Sequence, residues 1–316
     1  MRYTALAVLM MVALGAAGCE PPDPNASTPT SGRLMVYVDE LYAPIIRTLA
    51  DSFMTRSPNV KIEVRTAPAR MVIQELFNAV ARDTAITDTG TTTIGIVGRT
   101  LLPDEQEAAR TTSYGIKEYV LAYDGLAVVV PVSSPLKQST VERVRSVLAA
   151  AAPTGAMLDS AAPADPVRFI LPDQNSSALA GMRNLLSGDS NIVAPARYFS
   201  TQDSGLNPVA AGEGISILGW FTAHRDSTRV RTLPLGFTDS TGRVHPPAII
   251  HPTSLVTGAY PLKIPLVGYT FASNRSTAAG FLAWLSKTQD AQYYMGMQGL
   301  QPANVKIRIV LPDQPQ

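Results

Sequence analysis

The sequence predicts an α/β protein of two lobes joined by a hinge, each lobe a mixed sheet flanked by helices. Three observations predict it. Between residues 34 and 111, strand-like apolar runs alternate with runs of helical period, giving a β-α-β-α-β rhythm. That rhythm belongs to a mostly parallel sheet covered by helices on both faces. Two stretches, Ala122–Pro131 (AYDGLAVVVP) and Gly258–Leu266 (GAYPLKIPL), each join turn chemistry to an apolar run. They lie about 135 residues apart, the arrangement expected where a chain leaves one lobe and later returns. The length of 316 residues suffices for two ordinary cores.

The amino terminus reads as a leader over 1–18: Arg2, the apolar run Ala5–Leu14, then small residues up to Gly18. The run is too short to span a membrane as a helix. Cys19, the only cysteine, follows at once, and Ala16-Ala-Gly-Cys19 looks like a bacterial lipoprotein processing box. A plain signal peptide with a chance cysteine is the alternative. With Cys19 lipidated no thiol remains, which excludes disulfides and cysteine metal sites. The Pro-, Ser- and Thr-rich remainder of 19–32 is expected to be a disordered tether.

In the folded part, Leu34–Val38 predicts a buried strand, and Leu41, Ile45, Leu49 and Phe53 recur at helical spacing until Ser57-Pro58-Asn59 stops the helix. Val60, Ile62 and Val64 alternate as a half-buried strand. Met71, Leu76, Phe77 and Val80 mark a second helix, and Thr93–Val97 a third strand. Pro103 opens a helix with acids at its amino end, where the dipole favours them. Asp124-Gly125 is expected to supply a turn or bulge before the buried strand Leu126–Val130. Ser139 and Glu142 form a capping-box pattern for the next helix. Val167–Leu171 predicts a strand, Ser176–Leu186 a helix and Gly214–Trp220 a strand. A hairpin or surface excursion is expected over 238–247. After the return strand Leu266–Phe271, helices are expected over Ser276–Leu285 and Asp290–Met297.

Charge excludes some functions. There are 26 basic and 25 acidic residues, and the leader removes one arginine, so no basic nucleic-acid surface is expected. His224, His245 and His251 are scattered without metal-ligand spacing. No Walker loop or Gly-x-Ser-x-Gly elbow is present. No enzymatic activity, metal or cofactor is expected. Trp220, Tyr260 and Tyr269 are read as packing cores or hinge surfaces, with sugar stacking as the alternative.

The AYDGLAVVVP segment, followed by the Ser134-Pro135 turn and the helix-like Ser139–Leu148, resembles the phosphate-binding periplasmic proteins of bacterial ABC importers. Gly258–Thr270 and Gln298-Gly-Leu-Gln-Pro302 match two further landmarks, and the order is the family's from about residue 33 to 302. The resemblance implies a type II periplasmic-binding-protein-like fold. Lobe 1 would be discontinuous, over 33–126 and 258–316, with lobe 2 over 127–257. It implies capture of phosphate or a similar small oxyanion between the lobes by a monomer, with an ABC permease as partner. The protein would sit on the periplasmic face of a bacterial envelope, anchored through Cys19. The alternative is a lipoprotein sensor or interaction protein that keeps the fold and has lost tight phosphate binding.

Four turns correspond to the family's binding loops. The first holds Asp39, Glu40 and Leu41, where the family has small residues. A carboxylate there accepts a proton from a ligand hydroxyl or meets a cationic group, unless Asp39 only caps its helix. The second holds Arg70, read as a charged clamp or a surface arginine. The third holds Arg99, which faces or braces the cleft, or pairs with an acid such as Asp104. The fourth holds Asn175, Ser176 and Ser177, which cradle an anion, cap a helix, or both. The family's phosphate-binding arginine, two residues before Asp173, is Leu171 here. A replacement charge would have to come from Arg70 or Arg99.

Overall fold

The computed structural model describes residues 27–82, 91–187, 192–200 and 202–304. The leader and Cys19 lie outside the described residues. In the first lobe, β1 (Ser31–Asp39) pairs in parallel with β2 (Asn59–Ala67) and β3 (Thr91–Val97), with α1 (Ala43–Arg56), α2 (Ala69–Ala81) and α3 (Pro103–Thr111) between and after them. The expected rhythm therefore holds. Within residues 27–32, read as the end of the tether, Thr28–Thr30 are exposed, but Ser27 is buried and accepts a hydrogen bond from the N–H of Thr277.

One strand, β4 (Lys117–Pro131), belongs to both lobes. Up to Gly125 it pairs antiparallel with β12 (Lys263–Thr270), and from Leu126 it pairs antiparallel with β8 (Ile215–Gly219). The strand order across the molecule is β2-β1-β3-β12-β4-β8, followed by β6 (Phe169–Pro172) and β7 (Ala196–Phe199). Asp124-Gly125 does not turn the chain. It is extended and buried, and the register shift lies near Leu121 instead. A buried aspartate is tolerated mid-strand because distant groups satisfy it. Asp124 Oδ1 accepts from the N–H groups of Gly125 (2.8 Å) and Phe221 (3.2 Å), and Oδ2 accepts from the Tyr42 hydroxyl (3.1 Å). Leu126–Val130 is fully buried, worth about 1.5–3 kcal/mol for each large side chain.

The second lobe contains β5 (Ser139–Thr140), α4 (Val141–Leu148), α5 (Gly155–Leu158), β6 (Phe169–Pro172), α6 (Ser177–Met182), β7 (Ala196–Phe199) and α7 (Gln202–Ala210). After β8 come α8 (Trp220–Arg225), β9 (Val230–Thr232), β10 (Leu235–Thr238), β11 (Val244–Ala248) and α9 (Pro252–Thr257). β10 and β11 make the expected hairpin, pairing antiparallel. The capping pattern is displaced by one residue: Thr140 accepts from the Arg143 N–H, while the Ser139 hydroxyl donates to Leu158. Glu142 is used elsewhere, accepting from the N–H of Thr238.

The chain returns through Gly258, which ends α9 at φ 71°, a left-handed conformation that favours glycine. Tyr260 is buried and donates to the Leu126 carbonyl at 2.7 Å, tying the return segment to β4 at the crossing. α10 (Thr277–Lys287) and α11 (Gln289–Met297) then cover the first sheet, and β13 (Gln301–Pro302) pairs with β4. Among the described residues, no helix is long and apolar enough to cross a membrane.

Candidate functional site between the lobes

The four turns singled out in the sequence meet where the lobes face each other. Backbone and hydroxyl groups join them directly: the Gly98 N–H donates to Ser177 Oγ at 2.9 Å, and the Arg70 N–H donates to the Asn175 carbonyl at 3.1 Å. Gly98 permits this approach because a Cβ there would lie 2.5 Å from the Tyr42 ring. Seven of the eight candidate residues divide between two places, an inner junction and an outer cavity, and Glu40 lies beside the first.

Asp39, Leu41 and Ser177 belong to the junction. Asp39 is 0 % exposed at the end of β1. Its Oδ1 accepts from the Leu41 N–H at 3.3 Å, closing a local turn; α1 is instead capped by Tyr42, without a side-chain bond. Among the described residues, Oδ2 has no partner at hydrogen-bonding distance. Burial raises the Asp39 pKa, opposed by the Ser177 hydroxyl, the Leu41 N–H, the Arg99 charge and the Gly98 N–H. Leu41 is a core residue that offers only its backbone. Glu40 is half-buried beside the turn. Ser177, also 0 % exposed, opens α6, and Ser176 caps that helix by accepting from the Leu179 N–H at 3.1 Å. Leu171, where the family carries arginine, is buried in the second lobe's core.

Arg70, Arg99, Asn175 and Ser176 line a cavity of about 690 Å³ that opens outward from the junction. Among the described residues four cationic side chains line it, Arg70, Arg99, Arg183 and Lys263, and no carboxylate does. Neither predicted arginine is free. Arg99 is 5 % exposed and forms a two-pronged pair with Glu105, at 2.6 and 2.7 Å. Glu105 also accepts from the Leu102 N–H at the start of α3. Arg70 pairs at the surface with Asp104. The Arg99 Nε–H, buried, has no acceptor among the described residues.

Sequence reasoning missed Arg183 and Lys263. Arg183 stands seven residues after Ser176, on the same helical face as Ala180, so helical periodicity carried the signal. It is exposed and begins a π-helical turn, Arg183–Ser187, that supplies Asn184 and Leu185 to the cavity. Such turns recur at functional sites. Lys263 lies inside the GAYPLKIPL stretch; its Nζ sits 3.9 Å from the Tyr123 ring centroid, and burial lowers its pKa. The remaining lining is mixed. Gln106, Gln174 and Asn184 provide amides, while Leu101, Leu102, Ile264 and Pro265 form an apolar wall.

At the inner end the donors of the two lobes are spent on each other, and the cations stand along the walls of the outer cavity. Among the described residues no group of His, Cys, Asp or Glu could hold a metal ion.

The chain belongs to the PBP superfamily, whose family model, described as a PBP superfamily domain, matches residues 23–288. Its fold is the type II periplasmic-binding-protein fold. A Clostridium perfringens structure assigned as a phosphate ABC transporter substrate-binding protein, with phosphate bound, superposes with a TM-score of 0.66. The two share 15% identity over 85% of this chain and 98% of that one. An ABC-type phosphate transport receptor from Vibrio cholerae gives 0.62 at 14% identity, over 85% and 99%. The CcmR regulatory domain from Synechocystis, in complex with 2-PG, gives 0.51 at 13%, over 81% and 96%. No curated protein matches the sequence significantly.

Proposed function

We propose that this protein is a lipid-anchored solute-binding protein that captures an anion between its lobes for ABC-type import. The observation that carries the reading is the inter-lobe cavity, whose lining among the described residues holds four cationic side chains and no carboxylate. Phosphate and similar small oxyanions are the first candidates, because the structural relatives from Clostridium perfringens and Vibrio cholerae are described as phosphate-binding or phosphate-transporting. Cleavage before Cys19 and lipidation of that residue would hold the protein on the periplasmic face of a bacterial envelope, near a permease. Specificity arises from matched donors in a largely dry cleft, with no covalent step.

A second reading, a sensor or interaction protein without tight phosphate binding, is favoured by the Asp39 carboxylate at the junction. A buried anion there repels a second anion unless one of the two carries a proton. The CcmR domain illustrates a regulatory role for this fold. Calorimetric titration of the full chain with inorganic and organic anions separates the readings. Saturable binding, weakened by rising salt, supports capture; no heat with any anion to millimolar concentration supports the second reading.

A further inference from the structure

The space between the lobes is divided unequally. At the inner end, where an oxyanion would meet the strand-to-helix turns, the protein fills its own site. The Asp39 carboxylate accepts from the Leu41 N–H, and the Gly98 N–H is already spent on Ser177 Oγ. Asp39 and Ser177 are completely buried, and neither lines the cavity. The open volume lies outward of this contact.

That volume is too large for an inorganic ion. A water occupies about 30 Å³ of liquid, so about 690 Å³ equals on the order of twenty waters, against roughly three for phosphate. It falls in the range of sites that hold drug-sized molecules. Its chemistry is divided as well. Arg99, buried with an unpartnered Nε–H, and Arg183, exposed and without an ion pair among the described residues, suit a charged head. Gln106, Gln174 and Asn184 offer hydrogen bonds of both senses, opposite an apolar wall that includes Leu101 and Ile264. An inorganic ion has no use for the amides or the wall.

We propose that the ligand is an organic anion, an oxyanion head on a body of sugar or nucleoside size, and that Asp39 bars inorganic phosphate from the inner junction. This rests on the anion-capture reading and narrows it. The head binds among Arg99, Arg183 and the helix start at Ser176, while the body lies between the α3 start and the Arg183–Ser187 turn.

The test is calorimetric titration of the full chain, at one pH and ionic strength, with inorganic phosphate, glucose 6-phosphate, adenosine 5′-monophosphate and citrate. At least one organic anion should bind roughly tenfold or more tighter than inorganic phosphate, with the esters and citrate distinguishing a phosphate from a carboxylate head. Arg183→Gln, at an exposed position, should weaken that binding by about tenfold, the loss of one charge-assisted contact, with an unchanged melting temperature. Inorganic phosphate binding as tightly as every organic probe would overturn the inference and leave anion capture standing. Full retention of affinity in Arg183→Gln would place the ligand elsewhere and overturn it too. Silence from all four probes would remove both the inference and the reading beneath it.

Discussion

Asp124→Asn is expected to make the protein more stable at pH 8 and to flatten its stability profile between pH 4 and 7. Asp124 sits in β4 where the strand passes from one lobe to the other, with no solvent exposure. Burial pushes its carboxyl up from 3.8 to about 7, opposed by hydrogen bonds from Gly125, Tyr42 and Phe221. The folded state therefore holds a proton that the unfolded chain releases above its ordinary value. Below about pH 4 both states are protonated and the full stability is present. Between about pH 4 and 7 stability falls as pH rises, and above 7 the loss is complete. A displacement of roughly three units corresponds to about 4 kcal/mol at most. Asparagine resembles the protonated acid: its oxygen still accepts from Gly125 and Phe221, and its amide can donate to the Tyr42 hydroxyl. Urea denaturation of both proteins at half-unit steps from pH 4.5 to 8.5 measures the difference directly. The wild type should lose stability relative to the variant across this window, reaching a gap of one to several kcal/mol. Parallel curves, or a variant less stable at pH 8, would refute the assignment of a buried, late-titrating carboxyl.

Other substitutions probe the same interface. Glu105→Gln leaves the buried Arg99 without its counter-charge and should cost about 3–5 kcal/mol in urea denaturation, whereas Arg70→Ala, at an exposed pair, should cost less than about 1 kcal/mol. Gly98→Ala places a Cβ against the Tyr42 ring and should lower stability by about 1–3 kcal/mol, read from the melting temperature. Asp39→Ser removes the carboxylate from the junction, so inorganic phosphate should gain roughly tenfold in affinity, about 1.4 kcal/mol, by calorimetry. An unchanged phosphate affinity would show that Asp39 does not bar the ion.

The elements were legible where hydrophobic period and punctuation agree. The parallel β1-β2-β3 unit is written in runs such as Leu34–Val38 and in the Ser57-Pro58-Asn59 stop. The course of β4 was not legible, because Asp124-Gly125 is a turn signal locally and only Tyr42 and Phe221, 82 and 97 residues away, make it tolerable inside a strand. The candidate site was half legible. Turns at the ends of β1, β2, β3 and β6 identified Asp39, Arg70, Arg99 and Asn175–Ser177, since strand-to-helix turns gather at one edge of each sheet. Which acid each arginine takes was hidden. The sequence offered Asp104 for Arg99, but the pairs are Arg99 with Glu105 and Arg70 with Asp104. Along α3, Glu105 lies at the position that reaches back to the helix start, and so beneath Arg99. Lys263 lay in a stretch read only for its turn chemistry.

The central claim, that an anion binds between the lobes, is tested most directly by amide hydrogen exchange on the full chain with and without saturating glucose 6-phosphate. Slowed exchange is expected in segments from both lobes, residues 98–106 and 174–185, which face each other across the cavity. Protection confined to one lobe, or absent from both segments while the ligand is bound, would contradict it.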